Sequence, residues 1–309
     1  MPNNDPSLCD DLSELSVQDW LQRLDDLGEA HGYLEPVGAE DTALLLDAGK
    51  TLLVTFETRA GIRAQGGARP RGFELVNRNG WSLLALISEG DGWFRSRAVW
   101  GYFDRLIDDG FFEDFDRVLF YGHHVQAYAA AAFSVAAPGA RALLLRPLAT
   151  LEPSVAGWDH RYEDKRRHDF TSRYGFAPDM IEALRQAYVV VDPTCREDDI
   201  HAALFRRPNL LRLPARYMGP EMEAGFDRID MTVPLIEAAM EGSLSRRSFG
   251  HMWRARRRLP GYLRRLVDAA ETRGHPALAA RAARYGLQTE DAAQFRARLA
   301  ALDGGPPAP

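Results

Sequence analysis

Six short apolar runs, most of them separated by helical segments, do most to constrain the fold of this chain. They are predicted to be strands at 52–58, 82–90, 117–121, 141–145, 188–191 and 210–213. Continuous apolar strands are buried on both faces, which is typical of a parallel sheet covered by helices on its two sides. The 309-residue chain is therefore predicted to have an α/β fold with a mostly parallel, doubly wound sheet.

Charge and helical periodicity divide the chain into further parts. A helix with Ser16 as its N-cap is predicted near the N-terminus, and helical sequence resumes after the last strand, from about Met222. The predicted parts are an acidic helical N-terminal segment at 1–49, a main α/β domain at 50–240 with a lid-like insertion at about 152–180, a basic helical C-terminal extension at 241–303 and a flexible tail at 304–309.

The sequence lacks the apolar segments typical of membrane proteins and the cysteine pattern typical of disulfide-bonded secreted proteins. No run of about 18 apolar residues occurs, and the acidic residues 1–11 do not resemble a signal peptide. Cys9 and Cys195 lie far apart without a CxxC motif, which argues against a disulfide framework or a zinc site. We predict a cytoplasmic location without a membrane span, and we interpret Cys195 as a small apolar residue rather than a reactive thiol.

Charge is unevenly distributed along the sequence. Residues 1–50 hold twelve acidic and two basic side chains, whereas the whole chain has a net charge of −6. Eight arginines and no acidic residue occur between Arg246 and Arg265. Because interleaved aromatic residues are lacking and an acidic segment compensates, the pattern argues against nucleic-acid binding. We expect the acidic N-terminus to dock on the basic helices, within one chain or between copies.

The run DRVLFYGHHVQAYAAAAFSVAA at 116–137 has the pattern of a nucleophile elbow. An apolar strand leads to Gly122, and a long alanine-rich helix follows. In an α/β hydrolase, this sharp turn from strand to helix exposes the catalytic serine. In this sequence His124 stands where the serine is expected.

The longer run FYGHHVQAYAAAAFSVAAPGARALLLRPLATLEP resembles the central segment of an α/β-hydrolase-like family of bacterial polysaccharide-biosynthesis-associated and uncharacterised proteins. The usual form in that family resembles YGSSMGGYAAL, followed by a helix and a strand that ends in SPQ. The resemblance continues through VVVDP and covers roughly residues 50–260. It implies a sheet of the α/β-hydrolase type with a helical C-terminal extension.

The resemblance also assigns catalytic positions. Gly122 falls on the first glycine of G-x-S-x-G, His124 on the nucleophile and Gln126 on the second glycine. Asp192 falls on the triad acid, while the loop where the family has its histidine reads LPARYMGPE, with Tyr217 and no base suited to neutral pH. The catalytic candidates are therefore His124 and Asp192 alone, and the elbow is predicted to be degenerate.

Several features argue against covalent catalysis at this elbow. Losing the nucleophile or the base of a triad costs several orders of magnitude in rate. Ser134 lies about three helical turns away, too far to replace the hydroxyl. Gln126 in place of glycine predicts a relaxed or opened turn. Asp192 precedes a proline and is more typical of a turn-forming residue than of a catalytic acid.

Metal and cofactor binding are not predicted. Adjacent residues share no face of a helix or strand, so His123 and His124 are poorly placed to hold one metal ion. A phosphohistidine at the start of the next helix is chemically conceivable but lacks any accompanying motif. We also expect His201 to lie on a helix face and His168 at the surface.

Polar side chains are expected to gather at the carboxyl edge of the sheet, where doubly wound folds bind ligands. They could hold a small anionic or sugar-like ligand without chemical turnover. The candidate binding residues are Gly122, His123, His124, Gln126, Arg216 and Tyr217, with Asp192 beside them.

Three functions follow from these patterns. The favoured one is a non-catalytic, α/β-hydrolase-like binding or partner module, linked to surface polysaccharide through the resemblance. The second is an active hydrolase or acyltransferase with an atypical site. The third, a phosphoadenosine phosphosulfate reductase, is not supported. The sequence pattern of such an enzyme resembles an SGGxDS turn together with a redox cysteine near the C-terminus, and neither is present.

Overall fold

The structure is a computed structural model that describes residues 6–303. These residues form eight strands in one sheet. The strands are β1 Gly32–Val37, β2 Asp41–Leu46, β3 Thr51–Thr58, β4 Ser82–Ser88, β5 Arg117–His123, β6 Arg141–Leu145, β7 Gln186–Val191 and β8 Leu210–Pro214. The six predicted strands are all present, with their ends within two residues of the predicted positions.

The strands are arranged in the order β1-β2-β4-β3-β5-β6-β7-β8. β2 pairs antiparallel with both of its neighbours, and every other pair is parallel. The expected fold class is confirmed: the sheet is mostly parallel, of the α/β-hydrolase type, with helices on both faces and a helical C-terminal region. The carboxyl ends of the parallel strands therefore meet along one edge of the sheet.

Helices cover the two faces of the sheet. The α-helices are α1 Val17–His31, α2 Arg59–Arg63, α3 Phe73–Asn79, α4 Arg97–Asp108, α5 Val125–Phe133, α6 Pro153–Ala156, α7 Ala177–Met180, α8 Arg196–Leu204, α9 Met222–Arg228, α10 Thr232–Glu241, α11 Arg246–Met252, α12 Pro260–Thr272, α13 Pro276–Gly286 and α14 Ala292–Asp303. Short 3-10 helices lie at Pro6–Cys9, Gly66–Ala68, Phe111–Asp114, Ser134–Ala136, His160–Lys165 and Trp253–Arg258. Among the helices in residues 6–303, none is both long and apolar enough to cross a bilayer.

Central strands are mostly apolar because each contributes side chains to two cores. In β5, Val118 and Phe120 belong to the core beneath α4 and α5, whereas Leu119 and Tyr121 belong to the opposite core. Successive side chains of a strand point to opposite faces, so both faces must be apolar when both are covered. This explains why the parallel strands could be recognised as uninterrupted apolar runs.

The N-terminal segment is not purely helical, so that expectation is wrong. After α1, the chain forms β1 and β2, which extend the sheet at one edge. β1 is half-exposed and contains Pro36, which removes a backbone donor and is tolerated at a sheet edge. Leu8 and Leu12, in a region without an obvious periodic pattern, are buried in the core against α3 and its neighbours.

The acidic and basic ends of the sequence do not pair within the described chain. Asp10 pairs with Arg23, and Glu35 pairs with Arg105. Within residues 6–303, no acidic residue of the first fifty forms an ion pair with an arginine of 246–265. Docking between two copies stays a prediction. The predicted flexible tail at 304–309 lies outside the described residues.

Candidate functional site

The turn at the end of β5 has the shape of a nucleophile elbow with a histidine at its tip. Gly122 lies where a Cβ atom would overlap the backbone of Gln126. His124 has φ 60° and ψ −116°, and its N–H donates to the carbonyl of Leu145 over 2.7 Å. Such a conformation costs a non-glycine residue on the order of 1–3 kcal/mol and persists only where its surroundings fix it.

Gln126 does not open this turn, so the predicted relaxation is wrong. The residue lies in the first turn of α5, and its side-chain amide reaches toward Gly92. A Cβ atom at Gly92 would lie 2.6 Å from Gln126 Nε2, so this glycine leaves the space that the glutamine occupies. The neighbouring loop therefore accommodates the bulk that replaces the second glycine.

His124 is held neutral beneath the 152–180 insertion. Its Nε2 atom lies 2.7 Å from the hydroxyl of Tyr162. Burial, and then the charge of Arg146, lower its pKa to about 3, because both disfavour a protonated imidazole. Among the described residues, no serine or cysteine hydrogen-bonds His123 or His124. The elbow thus presents a neutral imidazole where acyl transfer needs an activated hydroxyl or thiol.

The turn after β7 occupies both carboxylate oxygens of Asp192. Oδ1 accepts hydrogen bonds from the backbone N–H groups of Thr194 and Tyr217 and from the Thr194 hydroxyl. Oδ2 accepts the N–H of Gly219 over 2.8 Å. The side chain is fully buried, and its hydrogen-bonding partners in the described chain include no histidine. These contacts are those of a turn-forming aspartate.

The predicted binding residues do not form one pocket. His123 and Gln126 line a cavity of about 70 Å³ at the ends of β3 and β5. Tyr217 instead lines a groove with the C-terminal helices, and Arg216 is exposed. Neither of these two side chains lines the cavity beside the elbow.

The small cavity contains residues that the sequence analysis missed. Besides His123 and Gln126, its polar lining includes Glu57, Arg71, Tyr121 and Glu223. A charge within the apolar run LLVTFET is the signal that could have identified Glu57. No sequence pattern indicates that Arg71, Tyr121 and Glu223 lie together. Tyr121 and Glu223, for example, are hydrogen-bonded in the structure but are 102 residues apart in the chain.

Burial and charge set the protonation of this cavity. Burial raises the pKa of Glu57 to about 7, although Arg71 opposes the shift; the backbone N–H of Arg71 donates to its carboxylate over 3.0 Å. Burial also favours a raised pKa at Glu223, but Arg71, His123 and Tyr121 outweigh it and lower the pKa. Burial lowers the pKa of His123, whose Nε2 atom is buried without a hydrogen-bond partner.

A buried ionic network lies beside the elbow and holds the insertion. Asp198 accepts the Nε–H of Arg146 and an Nη–H of Arg161, both over 2.7 Å. Arg161 also donates to both carboxylate oxygens of Asp159 over 2.8 Å. Burial opposes ionisation of Asp198, but the two arginines outweigh it and lower the pKa. Asp198 is thus shared between two guanidinium groups, and Arg161 joins it to Asp159.

His201 belongs to this network. It does not face solvent, as an ordinary histidine on a helix face would. It is fully buried, and its Nε2 lies 3.0 Å from Asp159 Oδ2. The N–H of Ala149 donates to its Nδ1 over 3.2 Å, which leaves Nε2 as the protonated nitrogen. Because both ring nitrogens are occupied, His201 is not placed to act as a base.

Two other candidate nucleophiles, Cys195 and Ser134, lie in surroundings that do not activate them. Burial, and then the charge of Asp192, raise the pKa of Cys195 to about 11, so the thiolate is disfavoured. The Ser134 hydroxyl is buried and donates to the carbonyl of Ala131 over 2.8 Å. In the described part of the chain, no three His, Cys, Asp or Glu side chains are clustered as metal ligands.

Solved structures with a related shape include hydrolases and an acetyltransferase. One is an acylaminoacyl peptidase from Pyrococcus horikoshii, 10% identical with a TM-score of 0.42, where the match covers 68% of this chain and 41% of that chain. Another is a capsule O-acetyltransferase of Neisseria meningitidis serogroup A, 12% identical with a TM-score of 0.41, covering 65% and 94%. A third is brefeldin A esterase, a bacterial homologue of human hormone sensitive lipase, 13% identical with a TM-score of 0.38, covering 72% and 75%.

No protein-family model and no curated protein matches the chain. This chain spans less than half the length of the peptidase. Because identities are 13% or lower and TM-scores are 0.42 or lower, we transfer no activity from these proteins.

The arrangement at the carboxyl edge is suited to binding polar groups and to proton transfer. Glu57 and His123 both face a small cavity and both titrate away from their usual ranges. A cavity of about 70 Å³ holds a water molecule or one polar group of a larger ligand. Its polar lining is suited to hydrogen bonding and to general acid–base transfer.

Proposed function

We propose that this chain is a ligand-binding protein on an α/β-hydrolase-type scaffold and does not carry out covalent acyl transfer. The observation that carries the proposal is His124 at the tip of the elbow, neutral and hydrogen-bonded to Tyr162. Acyl transfer through a triad requires a nucleophile, a base and a carboxylate that orients the base. In the described chain, no serine or cysteine hydrogen-bonds His124, whose side-chain partner is the phenol hydroxyl of Tyr162. Asp192 is occupied by backbone donors.

The proposed ligand is small and polar, with a sugar-like or anionic group that enters the cavity beside His123. Arg71, Glu223 and the unpartnered Nε2 of His123 offer donors and acceptors there. A link to surface polysaccharide rests on the resemblance of the elbow region to polysaccharide-associated proteins.

A second candidate function is hydrolysis by general acid–base catalysis. It is favoured by Glu57, whose pKa of about 7 lets it exchange a proton near neutral pH. His123, with its unpartnered nitrogen, lines the same cavity. In this case a water molecule rather than a side chain would attack the substrate.

Ester hydrolysis by purified protein separates these candidates. We expect p-nitrophenyl acetate to be hydrolysed at the same low rate by wild type, His124→Ala and Glu57→Gln. His251→Ala is the matched control for background catalysis by an exposed imidazole. A loss of roughly a hundredfold in His124→Ala alone would overturn the proposal, and such a loss in Glu57→Gln alone would establish the second candidate. Thermal melting confirms that each variant is folded.

A further inference from the structure

A groove formed by the loop after β8 with α12 and α13 combines cationic and apolar side chains. Its volume is about 420 Å³, and no acidic residue lines it. This volume falls in the range of about 300–1,000 Å³ that is typical of small-molecule sites. The cationic lining consists of Arg256, Arg257, Arg273 and Arg281, and His275 lies beside them.

The positive charge of this groove is not neutralised by its surroundings. Acidic residues nearby pair elsewhere: Asp268 and Glu271 of α12 pair with Arg298, and Asp291, which precedes α14, pairs with Arg264. In residues 6–303, none of the four lining arginines forms an ion pair with a carboxylate. The groove therefore attracts anions, and the attraction is strengthened by its concave shape.

Two of the arginines are held in fixed positions by neutral partners. Arg256 donates to the carbonyl of Trp253 over 2.6 Å and to the hydroxyl of Tyr262 over 3.1 Å. Arg273 donates to the hydroxyl of Tyr217 over 2.7 Å. A guanidinium fixed in this way loses less conformational entropy when it binds a phosphate.

The remaining lining is apolar and aromatic. Leu263 and Ala282 are buried in its floor, whereas Leu278 and Tyr285 are 56% and 41% exposed. The guanidinium of Arg257 lies over the ring of Tyr285, 5.6 Å from its centroid. An exposed aromatic ring beside a guanidinium is suited to stacking against a flat ring of a ligand.

We propose that this groove binds a small organic phosphate in which an aromatic ring is joined to a phosphate or polyphosphate group, as in a nucleoside diphosphate. The arginines bind the phosphates, which match the planar guanidinium in geometry and charge. The aromatic and apolar lining binds the ring. This site is distinct from the elbow, and its occupancy does not depend on whether the elbow is catalytic.

The buried turn of Asp192 contributes to this site as a positioning element. Its carboxylate accepts the N–H groups of Tyr217 and Gly219. Tyr217 has a φ of 64°, a conformation that L residues seldom adopt and that these hydrogen bonds help to fix. The turn thereby places the Tyr217 hydroxyl against Arg273 in the groove.

Calorimetric titration of the full chain tests the proposal with ADP, adenosine, pyrophosphate and a peptide of residues 1–15. We expect saturable binding of ADP and binding at least about tenfold weaker for adenosine and for pyrophosphate, because each lacks one half of the ligand. Arg257→Gln combined with Arg281→Gln should weaken ADP binding by at least about tenfold. Both side chains are exposed, so this variant is expected to fold.

The matched control removes the same charge outside the groove, through Arg246→Gln combined with Arg247→Gln, two exposed arginines of the same cluster. It should leave ADP binding unchanged. The proposal is overturned if ADP does not bind, if both double variants weaken binding equally, or if pyrophosphate binds as tightly as ADP. Binding of the acidic peptide in place of ADP would also overturn it and would identify the groove as a docking site for the N-terminus.

Discussion

Burial disfavours the charged forms of Glu57, His123 and His124 at the carboxyl edge of the sheet, although each side chain can carry a charge in water. The imidazoles lose their proton more readily and the carboxyl keeps its proton longer. Both shifts have one cause, the cost of holding a charge away from water. His124 at the elbow is therefore uncharged near neutral pH, although the charges of Arg146 and Asp198 act on it.

The raised pKa of Glu57 predicts a pH dependence of stability. Burial raises this pKa from 4.5 to about 7, so between these values the folded protein keeps a proton that the unfolded chain releases. The free energy of unfolding therefore falls as pH rises through this window. Glu57→Gln removes the effect, and we expect its stability relative to wild type to increase by roughly 3 kcal/mol between pH 4 and pH 8.

Urea unfolding of both proteins at several pH values measures this difference. Asp41, whose pKa burial raises to about 6, adds a similar slope to both proteins and cancels in the comparison. An equal difference between variant and wild type at every pH would show that Glu57 does not titrate abnormally.

The 152–180 insertion is held at the sheet edge by aromatic, hydrogen-bonded and ionic contacts. The ring of Trp93 packs against Tyr162 and Phe170, at centroid distances of 5.7 and 5.4 Å. Arg95 donates to the carbonyls of Asp169 and Arg173 over 2.7 and 2.8 Å. These contacts, with the ionic network around Asp198, keep Tyr162 over His124.

Removing the shared carboxylate should loosen the insertion. Asp198→Asn leaves the buried Arg146 and the partly buried Arg161 without their common counter-charge. We expect the free energy of unfolding to fall by roughly 3 kcal/mol, because breaking a buried ion pair leaves an uncompensated charge. Hydrogen exchange of the amides at 157–166 should also accelerate.

Asp199→Asn is the matched control, because this neighbouring carboxylate is 37% exposed and pairs with Arg212 at the surface. It should change stability by less than about 1 kcal/mol. Similar effects of the two variants would contradict a special role for Asp198.

The sequence predicted the parallel strands and the elbow because both leave a local pattern. A strand covered on both faces is a nearly continuous apolar run. A sharp turn needs a glycine where backbones meet, as at Gly122. The edge strand β1 lacks a continuous apolar run because it is half-exposed. The cavity around Glu57 was missed because its walls come from α9 and from segments near β3 and β5, and only the folded chain joins them.

At the scale of the whole molecule, the predicted segments share one core. On one face of the sheet, a continuous cluster joins Trp20 of α1 and Phe226 of α9 to Trp253 and Phe295 of the C-terminal region. Apolar surface shared in this way couples the stability of the parts that bury it. The C-terminal extension is therefore bound to the α/β domain by the same contacts that stabilise it.

This shared core predicts that residues 6–303 unfold as one cooperative unit. Hydrogen exchange in rising urea should show α1, β5 and α12 losing protection together. Leu263→Ala, at a residue only 1% exposed in the cluster, should lower the free energy of unfolding by about 2–5 kcal/mol for probes in all three elements. Leu278→Ala, at a residue 56% exposed on the neighbouring helix, should leave them nearly unchanged. If Leu263→Ala destabilises α12 and α13 alone, the C-terminal helices form an independent unit. The groove formed with α12 and α13 would then unfold while the rest of the fold stays intact.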